Sequence, residues 1–199
     1  MIGFIVKYME SKGAIEIKDS RSFDRWREEN SFNEVVDGYT TKKIDPEAAK
    51  YLLLKVKYVL NTNNVPFLLV FGTLLGAYRD GKFIEWDKDV DIAILKEHRE
   101  KVLQLIKDGE FAFYEIIWIR DVGYLYSLVH KSEYIDFHFF EEKAQGYVSG
   151  GVDEHVIKKD QIEGTNSKIM FLGEEFNTVS SIEQYLVDQY GETWKIPTR

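Results

Sequence analysis

Phe71-Gly72-Thr73-Leu74-Leu75-Gly76-Ala77-Tyr78-Arg79 and, after a short connection, Trp86-Asp87-Lys88-Asp89-Val90-Asp91-Ile92 set a glycine turn beside two alternating carboxylates. On a strand, acids at i and i+2 point to one face, so Asp89 and Asp91 share a side while Val90 and Ile92 turn into the core. Two like charges held together call for a cation between them, and the usual one for clustered oxygens is a hard divalent metal such as magnesium. Upstream, Pro66 to Phe71 reads as a buried strand that Gly72-Thr73 ends, and Leu74 to Arg79 has short-helix character. A helix that opens directly after a glycine turn presents backbone N–H groups to a phosphate. The pattern points to metal-assisted phosphoryl or nucleotidyl transfer. A buried strand, a turn and a solvated acidic loop would use the same residue types.

Outward from this unit the chain reads as α/β without repeats. Residues 2–8 and 14–17 form a candidate hairpin, and residues 22–29 a short helix. Asp45-Pro46-Glu47 is a helix start: Asp45 can cap, Pro46 fits the first turn and Glu47 suits the positive end of the dipole. Ala49, Leu52, Leu53, Val56, Val59 and Leu60 follow at helical spacing. Lys96 to Lys107 reads as a second helix, and residues 111–119, 124–130 and 134–140 as consecutive strands. Gly146 to Gly164 reads as a substrate loop. The last helix is expected from Ser180, with Glu183 completing a capping box, to near Gly191.

Within Tyr134-Ile135-Asp136-Phe137-His138-Phe139-Phe140, Asp136 is an acid in apolar company, which is costly unless it is paired or binds a metal. It is the candidate third carboxylate, with Asp121, Glu133 and Asp153 as rivals at strand ends or in loops. His138 shares its face and could bind metal, assist proton transfer or contact phosphate. Magnesium's preference for oxygen favours an ordinary hydrogen-bonded histidine. Arg79 could meet a donor phosphate or pair with a nearby acid. Trp86 could stack on a base or shape the loop, although an aromatic beside two strands is more often there for packing, and Asp87 could be a ligand, a supporting acid or a loop cap.

Gly72 to Arg79, Phe83-Ile84 and Trp86 to Ile92 resemble the signature of the LicD/fukutin-related proteins, members of the nucleotidyltransferase-fold superfamily. The likeness returns at Phe171 to Val179 and at Tyr190-Gly191-Glu192-Thr193-Trp194-Lys195-Ile196-Pro197. It covers the chain from about Lys43 onward, which implies an N-terminal extension, 1–42, and a catalytic domain, 43–199. Two positions depart from the pattern: Glu85 stands where the family has proline, and Lys88 where it has a further aspartate.

The resemblance implies a mixed sheet flanked by helices and an enzyme that moves a phosphorylated small group, phosphocholine or an alditol phosphate, from a CDP-activated donor to a glycan hydroxyl. Asp89, Asp91 and Asp136 would hold magnesium, or manganese in its place, and Asp136 could accept the hydroxyl proton. Gly72, Thr73 and Arg79 would bind the nucleotide's phosphates. Transfer of the nucleotide itself with release of pyrophosphate, or an inactive binding module of the same fold, would keep much of the same pattern.

Composition narrows the setting. The 199 residues suffice for one well-buried domain, and the net charge of -8 argues against a general nucleic-acid surface. The chain has no cysteine, hence no disulfide or thiolate site. No apolar run reaches membrane-spanning length, so the expected residence is cytoplasmic.

Overall fold

The computed structural model describes residues 43–121, 123–131, 133–150, 155–162 and 167–197. The expected N-terminal hairpin and helix lie outside these residues, as does Asp153. Helix α1 (Pro46–Thr62) starts where the capping signal places it: the Asp45 carboxylate accepts the N–H groups of Glu47 and Ala48 at 3.0 and 3.3 Å. Its apolar stripe, from Ala49 to Leu60, is buried against strands β4 (Leu125–His130) and β5 (Glu133–Lys143).

The main sheet also contains β1 (Phe67–Leu69), β2 (Val90–Leu95) and β3 (Ile117–Asp121), in the order β1-β2-β5-β4-β3. All neighbours along this path are antiparallel except β2 and β5, so the sheet is mixed. β2, and β5 from Glu133 to Phe140, are buried almost throughout, and most of their side chains there are apolar or aromatic. The far end of β5 carries β6 (Gly146–Ser149), which pairs with β7 (His155–Ile157). Helix α2 (Phe71–Arg79) packs on β2, α3 (Arg99–Lys107) follows a 3-10 turn, and the short α4 (Lys159–Ile162) follows β7. The hairpin β8 (Lys168–Phe171) and β9 (Glu174–Asn177) turns at Leu172-Gly173, where both residues have positive φ (56° and 85°). That is the geometry a two-residue hairpin turn demands. Helix α5 (Ile182–Tyr190), the last helix among the described residues, packs against α2. No helix among the described residues is long and apolar enough to cross a membrane.

Four expectations need correction. The strand expected over Pro66 to Phe71 is only three residues long, because Phe71 takes a left-handed φ of 48° and opens α2, placing Gly72 and Thr73 inside the helix's first turn. The strand expected from Phe111 begins at Ile117. Residues 111–116 instead form a turn in which Phe111 and Ile116 are buried and Glu115 is left-handed. The expected capping box does not form: Glu183 accepts from Tyr78 Oη, while Ser180 Oγ donates to the Asp160 carbonyl. The segment Gly146 to Gly164 is not one loop, since it supplies β6, β7 and α4.

Candidate active site

β2 and β5 run parallel and in a register that sets Asp91 directly opposite Asp136. Facing residues of neighbouring strands point the same way, so both carboxylates lie on one face of the sheet. His138, two residues along β5, joins them there. One ligand atom from each of Asp91, Asp136 and His138 lies within 4.8 Å of the others. Asp91 and Asp136 are 8 % and 5 % exposed, so neither charge is offset by bulk water.

Each member of this triad is oriented by a neighbour. The Ser127 hydroxyl, opposite Asp136 on β4, donates to Asp136 Oδ1. His138 Nε2 is 3.0 Å from Asp91 Oδ1. The Asp91 N–H donates to Thr73 Oγ1 at 2.8 Å, tying the first turn of α2 to β2. Burial first, then the charges of Asp89 and Asp87, hold the Asp91 carboxyl well above the usual carboxylate range. This arrangement favours either a proton or a bound cation at Asp91.

Asp89 lies one residue before β2 and accepts from the Tyr134 hydroxyl at 3.1 Å, outside the close triad but near enough to act on both Asp87 and Asp91. Asp87 is pushed up to about 6 by burial and by Asp89. Its carboxylate occupies the space that a Cβ at Gly72 would fill, so glycine is needed there for close approach rather than for an unusual φ. Lys88 is exposed and precedes the strand; its N–H donates to Asp87 Oδ1. Among the rival acids, Glu133 is buried but accepts the Asp45 N–H, which commits it to the start of α1.

Arg79 lies at the other end of α2. Its guanidinium grips Asp80 through two hydrogen bonds (2.9 and 2.7 Å) and donates to the Trp194 carbonyl. It also lines a cavity of about 260 Å³ with Gly72, Trp86, Asp87, Tyr190 and Trp194.

Two residues in this region were missed by sequence reasoning. Tyr185, fully buried, lets its hydroxyl accept the Phe71 N–H at 3.2 Å, so α5 supplies the cap that Val70 cannot give α2. Burial first, then the charges of Asp91, Asp87 and Asp89, pushes the Tyr190 phenol up. The Tyr190-Gly191-x-x-Trp194 spacing was the available signal, but nothing in it says that a helix so far along the chain returns to the acids.

Residues 64–177 match the family described as LicD/FKTN/FKRP, nucleotidyltransferase domain. The chain belongs to this family. Ribitol-5-phosphate transferase FKTN of Homo sapiens is 27% identical over 192 residues, covering 92% of this chain and 42% of that protein. The Mus musculus counterpart is 26% identical over the same span. The chain therefore spans about two-fifths of the length of these curated relatives. Coverage of 92% of this chain is more than residues 43–199 alone could supply, so the likeness to FKTN reaches into the first forty residues, which the motif resemblance had left out. Two solved structures share the fold. The antibiotic-resistance factor ANT(2'')-Ia superposes with a TM-score of 0.53 at 14% identity, over 77% of this chain and 76% of its own. The lincomycin-bound lincosamide antibiotic adenylyltransferase LnuA does so at 0.51 and 17%, over 75% and 89%.

Proposed function

We propose that residues 43–199 form a metal-dependent transferase unit that moves a phosphorylated small group, an alditol phosphate or phosphocholine, from a CDP-activated donor to a glycan hydroxyl. The observation that carries this reading is the parallel register placing buried Asp91 beside buried Asp136, with His138 completing the set. The name of the FKTN relatives, ribitol-5-phosphate transferases, supports an alditol phosphate as the moving group.

The donor set fits a divalent cation: two carboxylates and one imidazole, with spacing that permits common coordination. Magnesium suits the two acids, and manganese accepts the nitrogen as well. Bound there, the cation supplies charge neutralisation on the phosphoryl oxygens. Asp89, one residue outside β2, would share that duty. Asp136, oriented by Ser127, takes the proton of the acceptor hydroxyl as its oxygen bonds to the phosphorus of the moving group. The bond between that phosphorus and the bridging oxygen breaks, and CMP departs with the electron pair. Amides in the first turn of α2, around Gly72, would receive the departing phosphate, and Thr73 holds the turn against β2.

A panel of CDP-linked donors tested with magnesium or manganese and a glycan acceptor examines this reading. CMP formation with loss of activity in Asp136→Asn supports it. Pyrophosphate formation from a nucleoside triphosphate and a small hydroxylated acceptor would assign the chain to nucleotidyl transfer instead, an activity named for the structural neighbour LnuA. Absence of cation binding in the wild-type chain would reduce it to a binding module.

A further inference from the structure

The left-handed φ of 48° at Phe71 is unfavourable for an aromatic residue and persists only where the surroundings over-determine it. Glycine would take that conformation freely, yet the glycine of this segment is the next residue, Gly72. What Phe71 gains follows from the strand it leaves. Leu69 faces Ile92 in the β1–β2 register, so its side chain lies on the face opposite Asp91. Two more extended residues would put the Phe71 side chain on that same opposite face. Its ring instead meets His138 and Phe140, which share the face of Asp136 by strand alternation. The left-handed turn therefore carries an aromatic ring to the carboxylates' side of the sheet.

There Phe71 and His138 stand nearly edge to face, with ring centroids 5.0 Å apart and planes at 77°. Phe71 is held in turn: it is 9 % exposed, its N–H donates to Tyr185 Oη, and its ring lies 4.6 Å from that of His155. The χ2 torsion of a histidine is broad, so an imidazole has to be aimed by its neighbours. The 3.0 Å contact between His138 Nε2 and Asp91 Oδ1 does part of this. Nε2 gives that contact up when its lone pair turns to a cation, whereas the ring contact with Phe71 survives.

We propose that Phe71 is a positioning residue of the cation site, holding the His138 imidazole with Nε2 toward Asp91 so that the site prefers manganese to magnesium. This rests on the reading of Asp91, Asp136 and His138 as the ligands. The nitrogen bears on selectivity because magnesium takes oxygen ligands, while a transition-metal ion also accepts imidazole.

Electron paramagnetic resonance of free manganese, titrated with the full chain in the absence of nucleotide, reads the affinity, and competition by magnesium reads the second cation. Contacts that orient a metal ligand are typically worth about 10- to 100-fold in affinity. Phe71→Ala should accordingly weaken manganese binding roughly 10-fold and magnesium binding less than about 3-fold. Phe71→Gly, which adopts the left-handed φ without strain, should melt no lower than Phe71→Ala and yet bind manganese as weakly, which separates the loss from any change in stability. In a His138→Ala background, Phe71→Ala should bring no further loss. If neither Phe71 variant folds, NMR of the wild type with zinc as a diamagnetic cation decides: Overhauser contacts between the Phe71 and His138 rings should persist in the loaded chain, and their loss would overturn the assignment. Wild-type manganese affinity in a folded Phe71 variant, or an equal loss for both cations that persists without His138, would overturn it as well. The two levels are distinguishable. Manganese binding that weakens in Asp91→Asn and His138→Ala but not in the Phe71 variants sinks the positioning role alone. Coupling of Phe71 to His138 in a chain that consumes no CDP donor sinks the transfer reading and spares the positioning role, and a wild type that takes up no manganese contradicts both.

Discussion

Replacing Asp91 with asparagine removes one charge from the carboxylate cluster while keeping the side chain's shape and an oxygen that His138 can still meet. In the cation-free protein this carboxyl sits well above its usual range because of burial and the charges of Asp89 and Asp87. Relief of that repulsion should make Asp91→Asn melt higher than wild type in EDTA at neutral pH, and a chain of this length shifts by roughly 2–4 °C per kcal/mol. Magnesium or manganese at a hundred times its Kd should stabilise the wild type by about 2.7 kcal/mol, or roughly 5–11 °C, and should leave Asp91→Asn almost unmoved. Differential scanning fluorimetry with and without cation reads both effects. A variant that melts below wild type in EDTA and still shows the full cation-dependent rise would refute the idea that Asp91 is a ligand held under charge repulsion.

Other outcomes test the supporting structure. Tyr185→Phe leaves the buried Phe71 N–H without its acceptor and should cost about 1–3 kcal/mol in urea denaturation; an unchanged midpoint would remove Tyr185 as the cap of α2. Gly72→Ala has an ordinary backbone conformation but drives its Cβ into the Asp87 carboxylate, so donor turnover should fall about a hundredfold while the melting temperature moves by less than about 4 °C. In EDTA, stability should decline as pH rises from about 4 to 6, because the folded chain holds a proton on Asp87 that the unfolded chain, with a carboxylate near 3.8, has released. Saturating magnesium should flatten that slope, and a slope unchanged in Asp87→Asn would assign it to other groups.

The sheet and half of the candidate site were legible because their signals are local or strictly periodic. The Asp45-Pro46 start of α1 follows from backbone chemistry at one point in the chain. Asp136 could be picked out because an acid among Ile, Phe and Tyr demands a partner, and the register supplies one in Asp91. Strand alternation put His138 on the face of Asp136, but magnesium's ligand preference weighed against it; its place beside Asp91 depends on β5 lying parallel to β2, a long-range pairing with no local signature. The same holds for α2. Nothing within Pro66 to Gly72 says that Phe71 will turn left-handed, because the hydroxyl that secures its N–H comes from Tyr185. Arg79 was open between a phosphate contact and an ion pair; its acid partner is the next residue, but the Trp194 carbonyl it also holds comes from the far end of the chain.

The central claim is that this carboxylate site moves a phosphorylated group and releases the nucleoside monophosphate. Time-resolved ³¹P NMR of the chain with CDP-ribitol, a hydroxyl-bearing glycan and magnesium tests it most directly. The account predicts that the two coupled pyrophosphate resonances are lost together, replaced by one CMP phosphomonoester signal and one new phosphodiester signal in equal amounts, with neither forming in Asp136→Asn. An intact donor in the presence of bound cation, or inorganic pyrophosphate appearing from a nucleoside triphosphate while CDP-ribitol stays whole, would contradict it.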